Sequence, residues 1–283
     1  MTTNGYYRFQ IGEFACVCLS DGSHDYSLNS FFTNPPATEV EAALRQHNLP
    51  TDYITTPYTY LLVDTPDQRV LVDTGAGSLA PRTGKLRQNM LTAGIEPATI
   101  SMVVITHAHP DHIGGMLDDA GKLNYPNAAY YIAQIEWDFW FSAGALQKAP
   151  EMFVTIARRS LEAARERVQL VEKDQQLTPG VGTILAPGHT PGHIVVEFFS
   201  AGQYLLYTSD TVLHPLHLEH PDWLPAYDML PEQAAISKRA IFDRAADRQA
   251  LVIGQHFHPF PSLGTVTRKG EGWEWQPILM VSG

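Results

Sequence analysis

The sequence predicts an α/β protein in which sheets are covered by helices. Short apolar, β-branched runs of the kind that form buried strands alternate along the chain with segments that have helical spacing. Hydrophobic residues make up 44% of the 283 residues and charged residues only 17%, which is the balance of a folded globular chain. Because no linker, repeat or charge block divides the sequence, we expect a single domain over residues 1–283.

In the first half of the chain, turn and stop residues separate the predicted elements. Pro50 follows the first predicted helix and Gly94 closes the second, as expected of residues that end helices. Pro66 and Asp67 form a hairpin turn between two strands. The segment SMVVIT is short and rich in β-branched residues, which is typical of a buried strand. We therefore expect strands at 9–22, 58–65, 68–75 and 101–106, and helices at 39–49 and 83–94.

In the second half, the same patterns predict longer helices between short apolar strands. A helical stretch is expected from 136 to 170, with a break from Gly144 to Pro150. Pro231 begins a further helix, because a proline is well tolerated in the first helical turn. The remaining predictions are this helix at 231–246 and strands at 182–187, 193–199, 203–210 and 249–256.

Composition argues against several classes of function. Lys and Arg number 19 and Asp and Glu number 30, and the resulting net charge of −11 disfavours binding to a nucleic-acid backbone. The sequence contains no apolar run long enough to span a membrane and no basic segment leading into an apolar secretory leader. Cys16 and Cys18, two apart in a strand, are expected to be buried free thiols. We therefore expect a cytoplasmic protein that acts on a small molecule. Whether it forms a homodimer is left open by the sequence.

The strongest motif is THAHPDH, which follows directly on the predicted strand that ends at Thr106. His107 and His109 are two residues apart in extended chain, so their imidazoles can face one point. Asp111 and His112 follow the turn at a proline and can face a second point. Neutral imidazoles together with a carboxylate suit Zn²⁺, Fe, Mn or Co, and suit Ca²⁺ poorly.

The pattern H-x-H-x-D-H after an apolar strand, with Gly114-Gly115 following, resembles the signature of the metallo-β-lactamase superfamily. Four further segments resemble its other motifs in the same order, so the resemblance covers most of the chain. These are VLVDTG at 70–75, APGHTPGH at 186–193, TSDT at 208–211 and GQHFHPFPSLG at 254–264. The resemblance implies a four-layer αββα sandwich.

The resemblance also implies two divalent transition-metal ions per chain. Zinc is expected first, with manganese, iron and cobalt as alternatives. His189, Asp210 and His256 each lie at or just after the end of an apolar run, where strand ends of an α/β fold converge. By resemblance, one ion would be held by His107, His109 and His189, the other by Asp111, His112 and His256, and Asp210 would bridge them.

Several neighbouring residues need an assignment of their own. Asp73 is expected to support the fold or orient a ligand rather than bind metal. His258 lies two residues beyond His256, and we expect His256 to be the ligand because it follows the predicted strand directly. For His258, a place in the pocket or beside a ligand stays open. For His214, a place in the pocket and a place in an exposed loop are both open, whereas the exposed loop is expected for His217.

The resemblance implies a dinuclear metal-dependent hydrolase, in which a hydroxide bridging the two ions attacks an electrophilic centre. Asp111 would orient the attacking water or take its proton. The segments SDTVLHPLH and GEGWEWQP look most similar to the branch with quorum-quenching lactonases and methyl-parathion-hydrolase-like enzymes. We therefore predict hydrolysis of lactones or related esters that carry an apolar group. Aromatic residues at 26–32 and 130–141 could form an apolar substrate wall, although most residues of this kind are expected to belong to the core.

Other functions share parts of this pattern. A glyoxalase II-like thioesterase and a phosphotriester or phosphodiester hydrolase use similar ligands. A mono-iron persulfide dioxygenase shares H-x-H-x-D-H with a single ion. A non-catalytic signal-binding module is the alternative outside enzymes, and the complete set of expected ligands disfavours it.

Overall fold

The computed structural model describes residues 5–278, which form two seven-stranded sheets. The first four residues of the N-terminal segment and the last five of the predicted domain lie outside the described residues. In the first sheet the spatial order of the strands equals their chain order. Its strands are β1 (Tyr6–Ile11), β2 (Phe14–Ser27), β3 (Tyr53–Asp64), β4 (Arg69–Val72), β5 (Met102–Val104), β6 (Ala129–Ala133) and β7 (Val168–Val171).

The second sheet is built from the C-terminal part of the chain, again with strands next to each other in chain order. It contains a parallel pair at its centre, β11 with β12, and antiparallel pairs elsewhere. Its strands are β8 (Gln175–Thr178), β9 (Val181–Leu185), β10 (Ile194–Ser200), β11 (Gln203–Tyr207), β12 (Leu251–Ile253), β13 (Leu263–Lys269) and β14 (Gly272–Pro277).

Helices lie between the strands and cover the outer faces of both sheets. They are α1 (Leu28–Phe31), α2 (Ala37–Gln46), α3 (Leu86–Thr92), α4 (Pro110–Ile113), α5 (Gln134–Phe141), α6 (Ala145–Lys148), α7 (Glu151–Ala163), α8 (Leu216–Glu219) and α9 (Pro231–Asp247). None of the helices between residues 5 and 278 has the length and apolar character needed to cross a membrane.

The two sheets pack face to face, and helices pack on their outer sides, so the predicted αββα layering is confirmed. Alternation along β3 shows how the sequence produces it: Leu61 and Val63 face the second sheet, whereas Leu62 faces the helices. On the first sheet the outer layer includes Trp140 of α5. On the second sheet it includes Phe242 of α9.

Most predicted strands and helices are present, with three kinds of difference. The strands predicted within 9–22 form the hairpin of β1 and β2, which extends beyond both ends of that range, and β3 begins at Tyr53. Residues 168–170, predicted as helix, form the edge strand β7, because pairing with β6 outweighs the local pattern. The strands β6, β8, β13 and β14 were not predicted. Most residues of β8, β13 and β14 are polar or half-exposed and carry little hydrophobic periodicity, and β6 has only five residues.

Other predictions from the sequence are confirmed directly. Cys16 and Cys18 are buried free thiols that face the space between the sheets. Gly114 and Gly115 allow two loops to touch, since a methyl group on either would overlap the backbone of Ala76 or Thr74. The carboxyl ends of β5, β9, β11 and β12 carry the loops that hold the predicted ligands.

Candidate metal centre

Three histidines converge at the end of β5. His107 and His109 follow that strand, and His189 comes from the loop after β9. The Nε2 atom of His107 lies 3.1 Å from Nδ1 of His109, which lies 2.9 Å from Nε2 of His189. All three side chains are buried. This first group could hold one metal ion through three imidazole nitrogens.

A second group of four side chains lies beside the first. It contains Asp111 and His112 on the short helix α4, Asp210 in the turn after β11, and His256 after β12. His256 Nε2 is 3.4 Å from Oδ2 of Asp111, and His112 Nε2 is 3.7 Å from the same oxygen. The structure thus divides the predicted residues into the two expected groups.

Asp210 faces both groups with different oxygens. Its Oδ2 lies 3.2 Å from Nε2 of His189, and its Oδ1 lies 3.4 Å from Nε2 of both His112 and His256. Among residues 5–278, no hydrogen bond reaches Oδ1, although the atom is buried. A buried acceptor without a donor is costly unless a cation or another group satisfies it. This arrangement fits an aspartate that bridges two cations.

The electrostatics also fit a cationic centre. Burial holds the pKa of His107 and His109 well below the usual histidine value, so both rings are neutral and offer lone pairs. Burial acts in the same direction on His256, but the Asp210 and Asp111 carboxylates outweigh it and raise the pKa of His256 to about 9. The carboxylates therefore draw positive charge to the centre, and nitrogen and oxygen donors of this kind suit divalent transition metals.

Asp73 lies behind the second group, beside His112. It is fully buried and accepts hydrogen bonds from the backbone N–H and the hydroxyl of Thr106, both at 2.8 Å. It also accepts, at 2.8 Å, a hydrogen bond from Nδ1 of His112, so Nε2 of that ring carries the lone pair toward the centre. In this place Asp73 can hold the His112 ring in one orientation.

Asp228 gives His189 the same kind of support. Its Oδ1 accepts a hydrogen bond of 3.0 Å from Nδ1 of His189, which leaves Nε2 free to bind a metal. On the other side of the centre, Nδ1 of His256 donates to the carbonyl of Pro57 at 3.3 Å. Sequence reasoning missed Asp228, because no motif marks a loop residue 39 positions after its partner.

The remaining histidines lie outside both groups. His258 is exposed and two residues from His256. His214 is buried behind Phe31, with a ring-centroid distance of 6.4 Å, so the exposed-loop alternative is wrong for it. It is wrong for His217 as well, whose Nε2 lies 2.7 Å from the carbonyl oxygen of Phe31. Both rings pack behind the wall because the loop after β11 folds back onto α1.

A cavity of about 210 Å³ opens onto the centre. Its polar end is formed by side chains of both groups, His109, Asp111, His189, Asp210 and His256, with His24 at the wall. The rest of the wall is aromatic and aliphatic. It consists of Tyr26, Phe31, Tyr58, Leu79, Ala80, Phe153, Leu213 and Tyr227.

The two aromatic segments divide between the cavity wall and the core. Tyr26 and Phe31 line the cavity, but no residue of the 130–141 segment does. Trp140 instead packs beneath the centre, with its ring centroid 5.9 Å from that of His109, and Phe32 packs against Trp223 at 5.5 Å. Hydrophobicity alone could not separate wall from core, because both places favour aromatic side chains.

The two neighbouring histidines after β12 provide a matched pair of variants. We expect His256→Ala to lose the metal ion of the second group, because Nε2 of His256 points at Asp111 and Asp210. His258→Ala should keep the metal content of the wild type. Elemental analysis of both purified variants checks this. If the His258 variant lost an ion and the His256 variant did not, His258 would be the metal ligand.

Comparison with known proteins agrees with this geometry. The family model described as "Metallo-beta-lactamase superfamily" matches residues 55–256. AidC, a dizinc quorum-quenching lactonase solved with the product N-hexanoyl-L-homoserine, is 32% identical, with a TM-score of 0.91 over 98% of this chain and 99% of AidC. AbOPH, a hydrolase in the beta lactamase superfamily, is 25% identical, with a TM-score of 0.92 and full coverage of both chains.

A protein named as a probable metallo-hydrolase is also similar to most of this chain. The probable metallo-hydrolase Rv2300c of Mycobacterium tuberculosis is 28% identical over 236 residues, covering 72% of this chain and 71% of Rv2300c. The resemblance predicted from the sequence, including its lactonase branch, is confirmed by these matches. The chain belongs to the metallo-beta-lactamase superfamily and is a hydrolase of that superfamily.

Proposed function

We propose that this hydrolase opens lactones that carry an apolar acyl chain, with two divalent metal ions in the two ligand groups. The observation that carries the proposal is Asp210, which lies between the groups at the floor of a cavity with an apolar wall. Similarity to AidC supports the choice of substrate. The second group of donors favours two ions over the single ion of a persulfide dioxygenase.

Divalent cations held by these two groups would lower the pKa of a water molecule from ~15.7 toward ~7 and would polarise the carbonyl oxygen of the substrate. The side chains of this protein supply the remaining functions. Burial raises the pKa of Asp111, but the neighbouring His112 and His256 lower it overall, so its carboxylate is ionised. Asp111 also lines the cavity. Its carboxylate can therefore orient the attacking water and accept its proton.

Two tyrosines can bind the polar part of the substrate. The hydroxyls of Tyr26 and Tyr58 hydrogen-bond to each other, and both side chains line the cavity. Burial, followed by the charge of Asp111, raises the pKa of both hydroxyls, so they stay neutral. One hydroxyl donates to the other, and the second proton is free for a carbonyl or amide oxygen of the substrate.

An acyl-chain series tests the apolar wall. Each CH₂ that enters the cavity contributes up to ~0.8 kcal/mol, or about fourfold in affinity. We expect kcat/KM on N-acyl homoserine lactones to rise with chain length over the first several carbons and then level off. Phe31→Ala should flatten this rise because Phe31 is part of the wall, whereas Phe199→Ala, on a distant strand, should not.

A substrate panel tests the proposed function itself. The metal-loaded protein is assayed with lactones, aryl esters, phosphotriesters, phosphodiesters, thioesters and β-lactams. We expect the highest kcat/KM on lactones. A much higher value on phosphodiesters or thioesters would contradict the substrate class and leave the metal centre as it is.

A further inference from the structure

Glu136 is a buried carboxylate that belongs to neither ligand group. It lies in the first turn of α5, has no exposed surface, and each of its oxygens accepts two hydrogen bonds. Oε1 accepts from the backbone N–H of Ala108 at 3.0 Å and from Nε1 of Trp140 at 2.7 Å. Oε2 accepts from the hydroxyl of Thr190 at 2.7 Å and from the backbone N–H of Gly192 at 3.0 Å.

These donors come from the two loops that supply the first ligand group. Ala108 stands between His107 and His109, and Thr190 follows His189. Glu136 is 28 residues from the first loop and more than 50 from the second along the chain. One carboxylate therefore ties together two loops that are far apart in sequence.

The packing of Gly192 shows that this contact is close. A methyl group at Gly192 would overlap the backbone nitrogen of Glu136 and lie 2.7 Å from its Cα. Only a glycine allows the His189 loop to approach α5 so closely. The hydrogen bonds of the carboxylate and the backbone contact at Gly192 thus fix, independently of each other, the distance between the His189 loop and α5.

We propose that Glu136 is a positioning residue that sets the spacing between the His107–His109 pair and His189. Its four hydrogen bonds go to no ligand ring, but three of them hold the backbone segments on both sides of the first group together. This inference rests on the proposed metal centre and goes beyond it, because it assigns the geometry of one group to a residue outside both.

The test is Glu136→Gln, which keeps the shape of the side chain and exchanges one acceptor oxygen for a donor. Either Ala108 and Trp140 or Thr190 and Gly192 then face an N–H group in place of an acceptor. The matched control is Asp138→Asn, which makes the same change of charge on the exposed side of α5. Zn²⁺ affinity is measured by competition with a chromophoric chelator, without substrate.

Two background variants allow Zn²⁺ binding to each ligand group to be measured separately. His256→Ala leaves the first group intact, and His109→Ala leaves the second group intact. We expect Glu136→Gln to weaken Zn²⁺ binding by about 10- to 100-fold in the His256→Ala background. The His109→Ala background should show no change, and Asp138→Asn should change neither. Equal losses in both backgrounds, or no loss in the first, would overturn the assignment.

A second readout needs no metal. In the metal-free protein, amide hydrogen exchange of Ala108 and Gly192 should be slow and should accelerate in Glu136→Gln.

Thr190→Val is the variant to use if Glu136→Gln does not fold. It removes one donor and keeps the carboxylate, and it should weaken Zn²⁺ binding in the His256→Ala background and leave it unchanged in the His109→Ala background. Unchanged affinity in Thr190→Val would then count against the proposal. Because neither assay uses a substrate, a wrong choice of substrate would not affect these results.

Discussion

His109→Ala is expected to abolish hydrolysis while the chain stays folded. The substitution removes one of three nitrogen donors from the first group, and the ion held there supplies several kcal/mol of stabilisation to the developing charge. A loss of about 4 kcal/mol corresponds to about 1,000-fold in rate, so kcat/KM should fall by at least that factor. Elemental analysis should show that this variant loses the ion of its first group.

Folding provides the control for this variant. The chain buries extensive apolar clusters between and around its sheets, so it does not depend on metal for a hydrophobic core. Thermal unfolding of His109→Ala should remain cooperative. A variant that lost its cooperative transition would show that the centre supports the fold rather than the chemistry.

Asp111→Asn is expected to lower kcat by about 100-fold or more at saturating Zn²⁺, the range for loss of a general base. Asparagine keeps the shape of the side chain and one oxygen donor, but it has no negative charge and takes no proton. The charge also contributes to the second ligand group, so metal content must be measured alongside the rate.

Metal saturation separates the two effects of this substitution. The kinetic constants are compared at Zn²⁺ concentrations at which elemental analysis shows equal metal content in wild type and variant. Asp119→Asn, an exposed carboxylate after the same motif, serves as the charge-matched control and should retain wild-type rates. Wild-type kcat in fully loaded Asp111→Asn would rule out the proton-transfer role and leave Asp111 as a ligand only.

The sequence pattern predicted sheets covered by helices, and the family resemblance implied the four-layer order. The structure brings all seven candidate ligands together. Four of them occupy six consecutive positions after a buried strand, so their directions follow from local geometry alone. His189, Asp210 and His256 are scattered, but each follows an apolar strand whose end must reach the same edge of the sandwich. Strand patterning therefore predicts where these three residues lie, and their assignment as ligands follows from the family resemblance.

Glu136 and Asp228 could not be predicted in this way. Their contacts with the ligand loops come from donors that lie 28 to 56 residues away, and they carry no motif of their own. One signal was present for Glu136, because a carboxylate in the apolar stretch IAQIEWDFWF must find partners if it is buried. The cavity wall was equally hidden, since Phe31 and Phe32 are adjacent and only Phe31 faces the cavity.

Metal titration of the metal-free protein tests directly whether lactone hydrolysis needs two bound ions. Zn²⁺ is added in known equivalents, and hydrolysis of N-hexanoyl homoserine lactone and bound metal are measured at each step. The two ligand groups predict that activity rises until two ions are bound per chain and then stays constant. Full activity with one bound ion would contradict the need for two ions, and no lactone hydrolysis with two bound ions would contradict the proposed substrate class.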